Sequence, residues 1–220
     1  MLTVGQPLST NSKCSRQART GTMLISVVNI LVRIFSFLEC TFLTDKDGFR
    51  GPMIIHDPAA PFKYDDESIL TLTDLYHDQA PLLINYYLSP DNENNYGGTE
   101  PVPNANLINE AENVKFPIIA GKTYLFHIIN MGAYASQWLQ FGGHNMTIVE
   151  VDGVYTQPYN VSQLFVAPAQ RYSVLIHAKT TTTQNFVVVA QMETDMFDST
   201  KTPANQKTTV SLAHLIRWLC

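Results

Sequence analysis

Six histidines, His56, His77, His127, His144, His177 and His214, are the side chains best suited to metal or proton chemistry in this 220-residue chain. No two stand at i, i+2 or i, i+4, the spacings that put imidazoles on one face of a strand or a helix. A copper or zinc site built within one element is therefore not expected. His127 and His177 lie inside apolar stretches and read as hydrogen-bonded structural histidines. His77 has Asp74 and Asp78 beside it, partners that allow an acid–base role but suit a loop anchor better. His144, within Gly-Gly-His-Asn, reads as a turn residue. The cysteines, Cys14, Cys40 and Cys220, give neither a disulfide framework nor a zinc spacing. No nucleophile elbow, phosphate-cradling glycine loop or paired-carboxylate motif stands out. Two Asn-x-Ser/Thr triplets, beginning at Asn145 and Asn160, are acceptor sequences for N-glycosylation and favour secretion.

The elements that would position these residues are mostly strands. SILTLTDLY at 68–76 sets Ile69, Leu72 and Leu75 among threonines in a largely β-branched run. TYLFHIIN at 123–130, MTIVEVDG at 146–153, QLFVAP at 163–168, RYSVLIHA at 171–178 and NFVVVAQM at 185–192 continue the series. Asp152-Gly153 closes a hairpin, with Glu150 a residue of its first strand. Short connections rich in Gly, Asn and Pro are those of a β-sandwich or barrel. One departure is APLLINYYLSP at 80–90, where Leu83, Tyr86 and Tyr87 predict a short helix that Pro90 ends. The following 90–106 reads as a polar loop.

Composition sets the outer limits. A net charge of −5 with 15% charged residues excludes a basic nucleic-acid binder, and 45% hydrophobic residues exclude a disordered chain. The charge is uneven, +3 over residues 1–46 and −8 over 47–220, which divides the chain near a turn at Asp45–Gly48. Residues 23–43 are long and apolar enough to span a bilayer, which takes roughly 20 residues, but carry Arg33 and Glu39 inside the run. The expectation is a buried segment, or sequence foreign to the domain that follows.

Several strings taken together are more specific. DGFRGPMIIHDP at 47–58 resembles the end of the first cupredoxin domain of multicopper oxidases, and LTDLYHDQ at 72–79 resembles the opening of their second. NLINE at 106–110, TYLFHIIN at 123–130, GGHNMTIVEVDG at 142–153 and APAQRYSVLIHA at 167–178 follow in the family's order. TEPVPNANLIN at 99–109 and INMGAYASQW at 129–138 look closest to fungal cell-surface ferroxidases, with laccases as near relatives. The resemblance implies an all-β, cupredoxin-like (plastocyanin-like) Greek-key sandwich with one short helix and an irregular or helical N-terminal segment. It divides the chain into a segment at 1–46 outside the family pattern, a first-domain remnant at 47–63, a second cupredoxin-like domain at 64–198, and a C-terminal tail at 199–220.

What the resemblance implies about chemistry is conditional on the rest of such a protein. These oxidases pass electrons from Fe(II) or phenols through four coppers to dioxygen. Their ligands come from His-x-His and His-Cys-His strings of the first and third domains, and no such string occurs here. The expectation is a fragment that ligates no copper and is inactive alone. Its partners would be the first and third domains of an extracellular or surface-displayed parent, with an iron permease if the ferroxidase likeness holds. The rival reading is a non-catalytic cupredoxin-like binding or assembly module. Where relatives set a carboxylate against substrate, this chain has Gly142. If Gly142 uses a positive φ, any side chain there strains the turn.

Overall fold

A computed structural model describes residues 50–111, 114–180, 185–198 and 206–214. The apolar 23–43 segment and all three cysteines lie outside them. Among these residues eleven strands form two sheets: β1 (Asp66–Leu75), β2 (Ala105–Ile108), β3 (Lys115–Ile118), β4 (Thr123–Asn130), β5 (Gln137–Phe141), β6 (Met146–Val151), β7 (Val154–Val161), β8 (Leu164–Val166), β9 (Arg171–His177), β10 (Phe186–Met192) and β11 (Lys207–His214). One sheet runs β2-β1-β4-β9-β6-β7 and the other β3-β11-β10-β5-β8. Both are mixed, because β1 lies parallel to β4 and β11 parallel to β3.

Strand alternation builds the core. Phe126 and Ile128 of β4, Val174 and Ile176 of β9 and Leu70 and Leu72 of β1 face Leu139, Phe141, Val188, Val210 and Leu212 of the other sheet. Phe126 meets Phe116 and Phe141 edge-on, at centroid separations of 5.3 and 5.0 Å, and so joins the two sheets. On β1 the inward residues are Leu70 and Leu72. Ile69 points to the opposite face, where it lines a cavity of about 290 Å³ with Arg50, Thr71 and Met131.

The expected helix is α1 (Ala80–Tyr87), but a second follows it, α2 (Pro90–Tyr96), where the sequence reads as a loop. α1 stops ahead of Pro90, as expected, with its C-cap at Leu88. Pro90 itself stands in the first turn of α2, where its missing N–H costs nothing. Ser89 caps this helix by accepting from the Asn92 N–H at 3.2 Å, Asp91 and Glu93 complement its positive end, and Gly97 closes it at φ 67°. A second correction concerns the tail. Residues 207–214 form β11, which sits inside its sheet between β10 and β3 and buries Val210 and Leu212. Among the described residues no helix is long and apolar enough to cross a membrane.

Candidate functional site

Gly142 lies in the turn after β5, and its importance is one of space. Its N–H donates to the Val187 carbonyl at 2.8 Å, and a Cβ there would lie 2.8 Å from that same oxygen. The positive φ belongs to Gly143, at 68°. His144 then folds back: its N–H donates to the Phe141 carbonyl at 3.0 Å and its Nδ1 meets the Gly142 carbonyl at 2.9 Å. Its ring stands edge-on to Phe186, 4.7 Å between centroids. The turn role expected of His144 is what the structure contains. The carboxylate on this sheet is Glu193, just beyond β10, which accepts from Trp138 Nε1 at 2.5 Å. That bond, ahead of a small opposing burial effect, holds Glu193 below the usual carboxylate range.

Asp74 at the end of β1 is nearly inaccessible and accepts three backbone N–H bonds. Oδ1 takes Ala133 at 2.9 Å, and Oδ2 takes Tyr134 at 2.8 Å and Ala135 at 3.1 Å. Asn130 secures the same loop, donating to the carbonyls of Ala135 and Val166 and accepting from Gly132. His77 is exposed, and it is its backbone N–H that is anchored, to Asn104 Oδ1 at 2.8 Å.

A polar row crosses the other face of the six-stranded sheet. His127 on β4 is paired with Ser173 on β9, and Ser173 with Glu150 on β6. A bulge between Ile148 and Glu150 is what brings Glu150 opposite Ser173. Ser173 Oγ donates to Glu150 Oε2 at 2.6 Å and lies 3.3 Å from His127 Nδ1. His127 Nε2 faces Glu67 Oε2 on β1 at 3.5 Å, and Glu67 Oε1 meets His56 Nε2 at 2.7 Å. His177 is tied separately, Nδ1 to Thr123 Oγ1 at 3.0 Å.

The glycosylation candidates fall together. Asn145 and Asn160 are both exposed, the first just before β6 and the second on edge strand β7. Thr147, the hydroxyl residue of the first triplet, pairs across the strands with Asn160 and donates to its Oδ1 at 2.6 Å.

Copper requires several soft or imidazole donors on one point. Among the described residues no three His, Cys, Asp or Glu side chains converge in that way. His56 and His127 meet Glu67 and Ser173, while His144 and His177 bond elsewhere to the Gly142 carbonyl and Thr123. The donor set of these described residues does not fit a copper ion.

Two facing mixed sheets with these crossovers define a cupredoxin-like sandwich, and comparison with known proteins narrows the class. The multicopper oxidase profile matches residues 66–214. The iron transport multicopper oxidase fetC of Epichloe festucae is 44% identical over 170 residues, 76% of this chain and 27% of that protein. FET3 of Gibberella zeae, also an iron transport multicopper oxidase, is 46% identical over 154 residues, 69% of this chain and 24% of that protein. Fet3p, a multicopper oxidase that functions in iron import, superposes with a TM-score of 0.72 at 33% identity, covering 76% of this chain and 31% of the other. A laccase from Botrytis aclada superposes at 0.62 with 20% identity over 78% of this chain and 33% of its own, a likeness of fold. The chain belongs to the multicopper oxidase family. It spans about a quarter of the length of these relatives.

Proposed function

We propose that residues 64–198, together with β11, serve as the second, spacer domain of a multicopper oxidase that couples one-electron oxidation of Fe(II) or phenols to reduction of dioxygen to water. In this reading residues 47–63 are the end of the preceding domain, the coppers are held by the first and third domains, and this chain alone is inactive. The observation that carries it is similarity to iron transport oxidases across the sandwich, on a chain that spans only a quarter of them. Exposed apolar side chains support partner domains: Phe165 and Val187 on one sheet, Leu82 and Leu88 on α1 and its end, Met196 beyond β10. The relatives are named for iron transport, which favours iron as the substrate, and the family resemblance adds an iron permease partner and display at the cell surface to this reading, although Gly142 stands where a substrate carboxylate is expected. A copper titration tests the division of labour. The full 220-residue chain with Cu(II) should develop no intense blue absorption, and a stoichiometric blue chromophore would place a type 1 centre here.

Secretion carries a modification with it. Asn145 and Asn160 are the proposed glycan acceptors, and a sugar on Asn160 Nδ2 leaves Oδ1 free to keep its bond from Thr147. It would also shield the β7 edge, which exposes Val154 and Tyr159. Enzymatic deglycosylation of the chain secreted from a fungal host should lower its mass, and less so for Asn160→Gln. An unchanged mass would count against the surface reading.

A further inference from the structure

The segment from Arg50 to Tyr64, which precedes β1, lies across the outer face of the six-stranded sheet. Arg50 Nε pairs with Glu110 Oε1 at 2.8 Å just past β2, one edge of the sheet. At the other edge Asp57 Oδ2 accepts from Tyr155 OH on β7 at 3.1 Å, and Phe62 stands edge-on to the Tyr155 ring at 5.5 Å. Between these anchors the contacts converge on one carboxylate. Glu67 holds His56 at 2.7 Å through Oε1 and Tyr64 OH at 3.2 Å through Oε2, while the same Oε2 faces His127.

We propose that Glu67, set between surface His56 and the buried row His127–Ser173–Glu150, is an acid-released latch that fastens the 50–64 strap to the sheet. The proposal rests on this geometry and does not depend on the role assigned to the domain. A carboxylate accepting from two strap groups holds them strongly only while it is charged. The groups facing it are His56 and Tyr64 from the strap and His127 from β4, and those facing His127 are Glu67 from β1, Glu150 from β6 and Ser173 from β9.

The electrostatics give the direction. Burial tends to raise the Glu67 pKa, but the hydrogen bond and charge of His56, and then of His127, outweigh it and hold the group below its ordinary 4.5. Burial dominates at His127 and holds the ring below its ordinary 6.5, against the pull of Glu67 and Glu150. A depressed acid stabilises the fold above its unfolded pKa and loses that contribution as pH falls through the folded value. A depressed base acts in the same direction, because below 6.5 the unfolded chain takes up the proton more readily. Glu67, the group that the strap residues contact, therefore sets the release, which falls below its ordinary 4.5.

Hydrogen exchange on the full chain reads this out segment by segment. After correction for intrinsic exchange, strap amides should lose roughly tenfold or more of their protection between about pH 7 and about pH 3, below the ordinary carboxylate range, while β4 and β9 amides change much less. Glu67→Gln keeps the shape of a side chain that is one-third exposed and removes the charge. At about pH 7 it should exchange in the strap like the unmodified protein at about pH 3, with little further change on acidification. His56→Gln removes the strap's own contribution and should loosen the same amides to a smaller extent. Strap protection that is independent of pH, or that survives both substitutions unchanged, overturns the proposal.

Discussion

Asp74→Ala is expected to be the most damaging single change outside the apolar core, at about 3–5 kcal/mol. Three backbone N–H groups of residues 133–135 point at its carboxylate, and a buried donor left without a partner costs about 1–3 kcal/mol. The loop has little room to find substitutes, since a Cβ on Gly132 would already lie 2.9 Å from Asn130 Oδ1 and 3.2 Å from Asp74 Oδ2. For a domain of this size the loss corresponds to a fall in thermal midpoint on the order of 10 °C. Asp74→Asn keeps one acceptor oxygen and should fall between alanine and the unmodified chain. Thermal unfolding followed by circular dichroism decides it, and an alanine variant within about 1 kcal/mol of the original would show that the loop does not depend on Asp74.

Gly142→Glu is the second large effect, and its sign is not what the family resemblance alone suggests. The resemblance makes it a restoration of a substrate-binding carboxylate, one that should favour iron over phenols. The structure puts the Val187 carbonyl 2.8 Å from any Cβ at that position, and backbone cannot step aside as a flexible side chain can. Forcing β5 and β10 apart at that point should cost about 1–3 kcal/mol, the usual range for overpacking. Gly142→Ala should show nearly the same loss, because the clash begins at Cβ. Chemical denaturation of both variants separates this from a glutamate-specific effect. Alanine at no cost would mean that the β5–β10 approach is looser than described, and that the carboxylate could be restored after all.

The strands that could be read from sequence are those with dense apolar, β-branched runs. TYLFHIIN, RYSVLIHA and NFVVVAQM give β4, β9 and β10 within a residue or so, because apolar β-branched runs have few alternatives. β7 escaped because as an edge strand it is exposed along most of its length, so no alternation marks it. β3 is four residues with Pro117 among them, acceptable only at an edge, which is where it sits. β11 did carry a signal, the buried Val210 and Leu212 two apart, hidden by the polar stretch before it.

At the site, residues with local partners were legible and the others were not. The structural roles of His127 and His144 follow from neighbouring sequence. Asp74 draws attention in sequence only as a neighbour of His77, yet its partners lie about sixty residues away. The row through Ser173 and Glu150 depends on a bulge, and a one-residue offset between strands leaves no mark in either strand's own pattern.

The place of β11 bears on the order in which the molecule can be made. Among the described residues β3 has no sheet neighbour except β11, about ninety residues further along. At roughly 5–20 residues per second, a ribosome takes several seconds to supply that strand after β3 has emerged. Until then Phe116 and Ile118 have no strand beside them, and β10 lacks one of its two neighbours. The six-stranded sheet is complete by residue 177, so the half of the sandwich that closes last is the one built around the latest-made strand. During that interval the nascent chain exposes an apolar sheet face, the kind of surface that chaperones bind and that other unfinished chains can pair with.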